Sequence, residues 1–278
     1  MAPDWLGASR RAAAALRAML AERTTIAERV IETGTRGEGG DRTLEIDAIA
    51  EELVFSELQG LHAAGARFRV VSEERGFVDF EGDGVVVVVD PIDGSLNAKR
   101  GLPHHCLSIA VAEGPTMADV VFGFVQDFGP DEEWVAERGR GAALNGAPLD
   151  PDIGERRWTS DGKLELVGFE SADPRWVLRS ADGLVQVAHR LRAIGTIAAA
   201  LCQVAAGRFD GMLTLKGCRA VDAAAAQLIV REAGGHVAFT AFEDPLAAPL
   251  DLLPHSPVVA ARSPAGLSEL ATVPSWRA

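Results

Sequence analysis

Two carboxylates, Asp90 and Asp93, stand three residues apart directly after the apolar run Val85–Val89, in the segment VVVVVDPIDGSLN. Pro91 stops a strand and removes a backbone donor. Gly94 lets the chain turn sharply. The pair therefore projects from a strand end, where ligand sites of layered α/β folds concentrate. Two close carboxylates repel each other, and one holds a proton unless a cation sits between them. Oxygen donors suit a hard cation such as Mg²⁺. If Gly94 and Ser95 open a helix, their free N–H groups point at an anion, so one loop could hold metal and phosphate together. Asp-Pro and Asp-Gly are each common in plain surface turns. The succession of apolar strand, DPxDG and hydroxyl residue is what argues for chemistry.

Other acids join this pair only by association. Glu73 and Glu74 follow an apolar stretch in VVSEERG, and adjacent acids are ordinarily just solvated; beside the aspartates, one becomes a candidate bridging ligand. Asp222 opens the Ala-rich stretch VDAAAAQLIVREAGG, where capping a helix is its simplest role. A carboxylate has two oxygens, so capping and metal binding are compatible. His104 and His105 read as structural or substrate-facing, because the cation implied here prefers oxygen. Cys218 reads as packing, since no base is paired with it. Lys99, Arg100, Arg192, Lys216 and Arg219 are cations that could meet a second anionic group, although a solvated surface charge is the simpler reading of each.

The elements that must position these residues follow from periodicity. Residues 4–33 carry a helical pattern with Asp4 as N-cap, and 34–41 reads as a loop. A second helix is expected over 43–61. Strands are expected at 68–71, 85–90, 107–112, 120–126 and 133–137, the last three as an antiparallel group. Asn145-Gly146 marks a tight turn. A polar, irregular stretch at 148–161 suggests a boundary between an N-terminal α+β half, 1–150, and a C-terminal α/β half, 151–278. In the second half we expect strands at 164–169, 211–215 and 258–261, and helices at 174–180, 197–206 and 222–234.

Composition narrows the partners. A net charge of −13 with no basic stripe argues against nucleic acid. The most apolar run is too short to span a bilayer, and no export signal is evident at the start of the sequence. Three cysteines without a pairing pattern fit a reducing compartment. A cytoplasmic protein acting on a small metabolite is the expectation.

At this point the motifs meet a known pattern. DPIDGSLN resembles the signature of the inositol monophosphatase family, VSEERG its paired-glutamate motif, and AVDAAAAQLIVREAGG its C-terminal aspartate–helix–Gly-Gly motif. TLEIDAIAEEL, carrying Asp47, and GRGAALNGAPL agree in order and spacing. DPIDGSLNA and SEERG are most similar to the branch of dual inositol monophosphatase/fructose-bisphosphatase enzymes. The resemblance implies a layered αβαβα sandwich with its active site between the two halves, and a homodimer. It implies a phosphatase that hydrolyses a phosphate monoester with water activated by two or three Mg²⁺. Glu73, Asp90 and the Ile92 carbonyl would bind one ion, and Asp90, Asp93 and Asp222 a second, with a third, weaker ion on Glu73. Asp47 and Ser95, the latter where threonine is usual, would orient the attacking water. Asp93 and the amides of Gly94 and Ser95 would meet the substrate phosphate, with Gly195 and Thr196 lining the pocket. Leu215 falls where inositol-specific members carry an acid, which weakens the case for inositol itself. Fructose 1,6-bisphosphate, histidinol phosphate and a nucleotide phosphate are alternative substrates, with a non-enzymatic, protein-binding role more distant. Convergence of Arg192, Lys216 and Arg219 on the pocket would favour a doubly anionic substrate.

Overall fold

The computed structural model describes residues 3–23, 25–36 and 42–276. Helix α1 (Trp5–Glu22) begins as expected, with the Asp4 carboxylate accepting the Gly7 N–H at 2.9 Å. It does not run on to residue 33. The Thr25 hydroxyl accepts the Glu28 N–H at 3.3 Å while Glu28 accepts the Thr25 N–H at 2.9 Å. This reciprocal cap starts a separate turn, α2 (Ile26–Arg29). Strand β1 (Glu32–Arg36) then pairs antiparallel with β2 (Arg42–Leu44), so part of the expected loop is strand. Residues 37–41 of that loop lie outside the described residues. Helix α3 (Glu45–Ala63) follows and packs against α1.

A seven-stranded sheet comes next, in chain order: β3 (Phe68–Ser72), β4 (Gly76–Asp93), β5 (Cys106–Ala112), β6 (Val120–Asp127), β7 (Glu132–Glu137), β8 (Ala142–Leu144) and β9 (Ala147–Pro148). Strand β4 is far longer than the expected 85–90. Its first arm pairs with β3 in the descending register Phe68↔Phe80 to Ser72↔Gly76. Its second arm pairs with the same strand in the ascending register Arg69↔Val86 to Ser72↔Val89. The chain folds back between the arms, where Glu81 and Gly84 have φ of 55° and 82°. Asn145 and Gly146, both left-handed at φ 49° and 76°, make the expected two-residue turn from β8 to β9.

The second sheet has the order β11 (Ala188–Arg192), β10 (Leu164–Glu170), β12 (Gly211–Thr214), β14 (Val258–Ala261), β13 (His236–Phe239). β10 is parallel to both neighbours, and the remaining pairs are antiparallel. Strands β11 and β13 were not expected, because AHRLR and HVAF are short and polar-interrupted. Helix α5 (Pro174–Val187) runs well past residue 180.

Period-two alternation shows how the layers stack. On β4, Val87 and Val89 face a cluster with Leu16, Val54 and Phe55 of α1 and α3, while Val88 faces the other way. On that other side lie α6 (Ile197–Ala205) and α7 (Ala220–Glu232), whose alanines let the backbones approach closely. A Cβ on Gly123 of β6 would come within 2.6 Å of the Ala225 carbonyl oxygen. Met212 and Ala260 of the second sheet close on the same two helices. Leu213 and Val259 face outward onto α5 and onto residues at α8 (Pro264–Leu270). The result is an αβαβα sandwich, in which α6 and α7 form the middle layer.

Candidate active site

Strand β4 delivers both aspartates and then turns at Gly94, φ 84°, into the short helix α4 (Ser95–Arg100). A Cβ at position 94 would sit 3.0 Å from the His104 carbonyl oxygen and 3.1 Å from that of Gly195. The turn is therefore tight as well as left-handed, and glycine is required. Asp90 is buried and folds back so that Oδ1 accepts the Ile92 N–H at 3.0 Å. Asp93 reaches across to the middle layer. Its Oδ2 accepts the Thr196 hydroxyl proton and the Ala198 N–H at 2.7 Å. Thr196 caps α6, so Asp93 sits at that helix's N-terminus, where negative charge is favoured. The hydrogen bond ties the seven-stranded sheet to α6.

Asp222 is the third residue of α7, not its N-cap. One oxygen accepts the Arg219 backbone N–H at 2.8 Å and the other accepts Arg219 Nη2 at 3.0 Å. Arg219 Nη1 lies 2.8 Å from Glu73, at the end of β3. The guanidinium thus bridges Glu73 and Asp222. Burial disfavours its charge, but the two carboxylates outweigh that and hold it protonated.

The acids shift one another. Burial pushes Asp90 well above the usual carboxylate range, with Glu73, Asp93 and Asp222 adding to the rise. Burial and then Asp222 push Asp93 up to about 8, against its bonds from Thr196 and Ala198. Burial raises Glu73 as well, although Arg219 opposes it. Four acids on three elements therefore feel each other's charge in a poorly hydrated site. An all-oxygen donor set under mutual repulsion fits a hard divalent cation. Among the described residues, no three His, Cys, Asp or Glu side chains are gathered closely enough to form a finished metal cage. The Arg219 bridge supplies positive charge between two of them instead.

The remaining candidates divide. Ile92 is buried between the aspartates. Ser95, half-buried, opens α4, and Asp47 is buried in the first turn of α3. Gly195 and Thr196, with Asp93, Arg219 and Asp222, line a cavity of about 1070 Å³. Arg192 does not line it. That residue is exposed on the edge strand β11, with Nη1 turned to the Leu191 carbonyl at 2.8 Å. Lys216 lines the cavity, but Lys99 and Arg100 do not. The expected convergence of Arg192, Lys216 and Arg219 is therefore absent, because one faces away and another is held by two acids. His104 lines the cavity, and its Nδ1 pairs with Asp127 at 2.8 Å, which raises its pKa. His105 is buried against Phe128, and burial lowers its pKa. The Cys218 thiol is buried and pushed up, in keeping with packing rather than attack. Leu215 is fully buried in the outer core and cannot touch a substrate.

Two residues that shape the cavity had no assigned role from sequence. Asn97 Nδ2 donates to the His104 carbonyl at 2.9 Å and the Ile194 carbonyl at 2.7 Å, joining the two loops that face each other there. Glu170, at the end of β10, accepts the N–H groups of Ile194 at 2.8 Å and Gly195 at 3.0 Å, and burial raises its pKa to about 7. An acid at the close of the apolar run LELVGFE obeys the same strand-end rule as Asp90 and could have been found by it.

The sequence profile of the inositol monophosphatase family matches residues 4–273. A fructose-1,6-bisphosphatase/inositol-1-monophosphatase of Methanothermobacter thermautotrophicus is 34% identical over 212 residues, 72% of each chain. A Nus factor SuhB of Pasteurella multocida is 33% identical over 201 residues, 71% of each. A solved inositol monophosphatase–fructose 1,6-bisphosphatase superposes with a TM-score of 0.81 at 23% identity, over 97% of this chain and 99% of that one, a likeness of fold.

Proposed function

We propose, for a chain that belongs to the inositol monophosphatase family and is a phosphoric monoester hydrolase, that it uses Mg²⁺ to hydrolyse a small metabolite carrying one phosphate. The observation that carries this reading is the cluster of Glu73, Asp90, Asp93 and Asp222, in which burial and the neighbouring carboxylates raise the proton affinity of the first three. Glu73, Asp90, Asp93 and Asp222, with the Ile92 carbonyl, would hold the ions. Bound there, Mg²⁺ would acidify a water and neutralise charge gathering on the phosphate oxygens. Asp47 and Ser95 would orient that water. The amides of Gly94 and Ser95, where α4 opens, would face the phosphate. Asp93, Gly195 and Thr196 would fix the ester oxygen's approach.

A single phosphate is favoured because the cations do not converge. Among the described residues lining the cavity, Arg219 is tied to Glu73 and Asp222 and His104 to Asp127, which leaves Lys216. A cytoplasmic homodimer is part of the reading; three buried free cysteines are consistent with a reducing compartment. Among the described residues, no helix is long and apolar enough to cross a membrane.

The test is phosphate release with and without Mg²⁺ across inositol 1-phosphate, fructose 1,6-bisphosphate, histidinol phosphate and nucleoside monophosphates. Strictly Mg²⁺-dependent release from a monophosphate supports the reading; a preference for the bisphosphate would refute the single-anion part of it. Relatives named Nus factor keep a second reading in view, a protein-binding role on this scaffold. Mg²⁺ binding without release from any ester would favour that one.

A further inference from the structure

Helix α3 carries an acid with no part in the reading above. Glu51 follows Asp47 by one helical turn in TLEIDAIAEEL, and Phe55 follows Glu51 by another. Residues four apart share a helix face, and all three are buried. A buried carboxylate needs hydrogen-bond donors to offset its lost hydration. Glu51 does not line the cavity. Its donors come from Ser72, the last residue of β3, and from Arg75 in the turn of Glu73, Glu74 and Arg75 that leads into β4.

Glu51 Oε1 accepts both the Ser72 hydroxyl proton and the Arg75 N–H, the latter at 3.2 Å. Oε2 lies 3.7 Å from Arg75 Nε. The Arg75 guanidinium is held in turn by α3, with Nη2 2.6 Å from Glu52 Oε1 and Cζ 4.4 Å from the centre of the Phe55 ring. One carboxylate thus fastens the chain on both sides of Glu73. Ser72 pairs with Gly76 across the turn, so only three residues lie between the two strand ends. So short a turn cannot absorb a shift at its ends, and Glu73 moves with it. Burial pushes Glu51 up to about 7, so the acid is kept here against a cost.

Resting on the Mg²⁺-dependent phosphatase reading above, we infer that Glu51 is a positioning residue for Glu73, fixing through Ser72 and Arg75 the place from which that ligand reaches its ion. Glu51 touches neither ester nor metal. Helix α3 then serves the site twice, through Asp47 at the attacking water and through Glu51 at a metal ligand. Without Glu51 the buried Ser72 hydroxyl and the Arg75 N–H lose their acceptor, and the turn must move to find others. Removing a group that holds a metal ligand in place costs about ten-fold to a hundred-fold in affinity.

The test is calorimetric titration of the full chain with Mg²⁺, beside thermal unfolding of each variant in EDTA. Glu51→Ala should weaken Mg²⁺ binding by about ten-fold to a hundred-fold. Ser72→Ala removes one of the two bonds and changes little volume, which guards against a variant that merely misfolds; it should weaken binding by about three-fold to ten-fold. Glu51→Gln keeps an oxygen for both donors and should stay within about three-fold of the parent. The Mg²⁺ concentration giving half-maximal phosphate release should rise in step with each Kd. A merely structural Glu51 would lower the unfolding temperature of the variants and leave the Kd of the folded protein where it was, and that result would overturn the inference. Glu51→Gln as damaging as Glu51→Ala would overturn it too, because the charge rather than the two bonds would then be acting on the ion. A parent chain that binds no Mg²⁺ would instead overturn the metal-dependent reading itself.

Discussion

Asp93 is the acid whose replacement separates fold from chemistry. Its folded pKa of about 8 lies above the 3.8 of an unperturbed side chain. The folded, metal-free protein therefore binds a proton that the unfolded chain has already given up, and stability falls as pH rises from about 4 towards 8. At pH 7 a little over three units have been crossed, and at about 1.4 kcal/mol each the penalty is at most about 4 kcal/mol. An amide in place of the carboxylate removes that penalty. It keeps an oxygen to accept the Thr196 hydroxyl and the Ala198 N–H. Metal-free Asp93→Asn should thus be more stable than the parent at pH 8, by about 2–4 kcal/mol, with the gap narrowing towards pH 5. Saturating Mg²⁺ should close most of that gap, since a ligand at a hundred times its Kd stabilises by about 2.7 kcal/mol and the variant would lack one of the proposed ligands. Urea unfolding at both pH values, in EDTA and in Mg²⁺, reads all of this. Turnover should fall by at least about a hundred-fold, as expected when a group held for the transition state is removed. A variant no more stable than the parent in EDTA at pH 8, or one stabilised equally by Mg²⁺, would refute the reasoning.

Two further substitutions probe the frame around the acids. Gly94→Ala places a methyl 3.0–3.2 Å from the His104 and Gly195 carbonyls and the Thr196 Cβ at φ 84°; it should cost about 1–3 kcal/mol and at least about ten-fold in kcat, measured by thermal unfolding and steady-state rates. Asn97→Ala removes the donor shared by the His104 and Ile194 carbonyls; a loss of about 2 kcal/mol and a raised KM are expected, and unchanged values would mean the two loops are held by other contacts.

Much of the site was legible because its acids follow apolar runs. Val85–Val89 reads as a buried strand, so Asp90 and Asp93 had to emerge at its end. Asp222 was legible for a different reason, standing at the head of a long alanine-rich stretch. What sequence could not supply was partnership. Nothing in the spacing of Arg219 says that it closes on Glu73, about 150 positions earlier, or that Arg192 turns away on an edge strand. The first arm of β4 escaped notice because GFVDF alternates only weakly and pairs with a strand already used by the second arm. The break after Glu22 escaped because Thr25 and Glu28 cap each other locally, which a periodicity count does not register.

The layering explains why the acids can be assembled at all. Three of the four are anchored by a backbone donor before any cation arrives. Ile92 N–H holds Asp90, the N-terminus of α6 holds Asp93, and the first turn of α7 holds Asp222. Helix N-termini favour negative charge, so these bonds lower the cost of ionising buried carboxylates without removing their mutual repulsion. Glu73 and Asp90 come from the seven-stranded sheet, while Asp222 and the partners of Asp93 come from the middle helices. The site therefore exists only when that sheet and those helices are packed together, and the residual repulsion is borne by the packing of α6 and α7. A divalent cation would relieve it, and in doing so would tie metal binding to the integrity of the sandwich. Arg219 makes the metal-free fold tolerable by pairing with two of the four acids, and leaves Asp90 and Asp93 as the pair that most needs a cation.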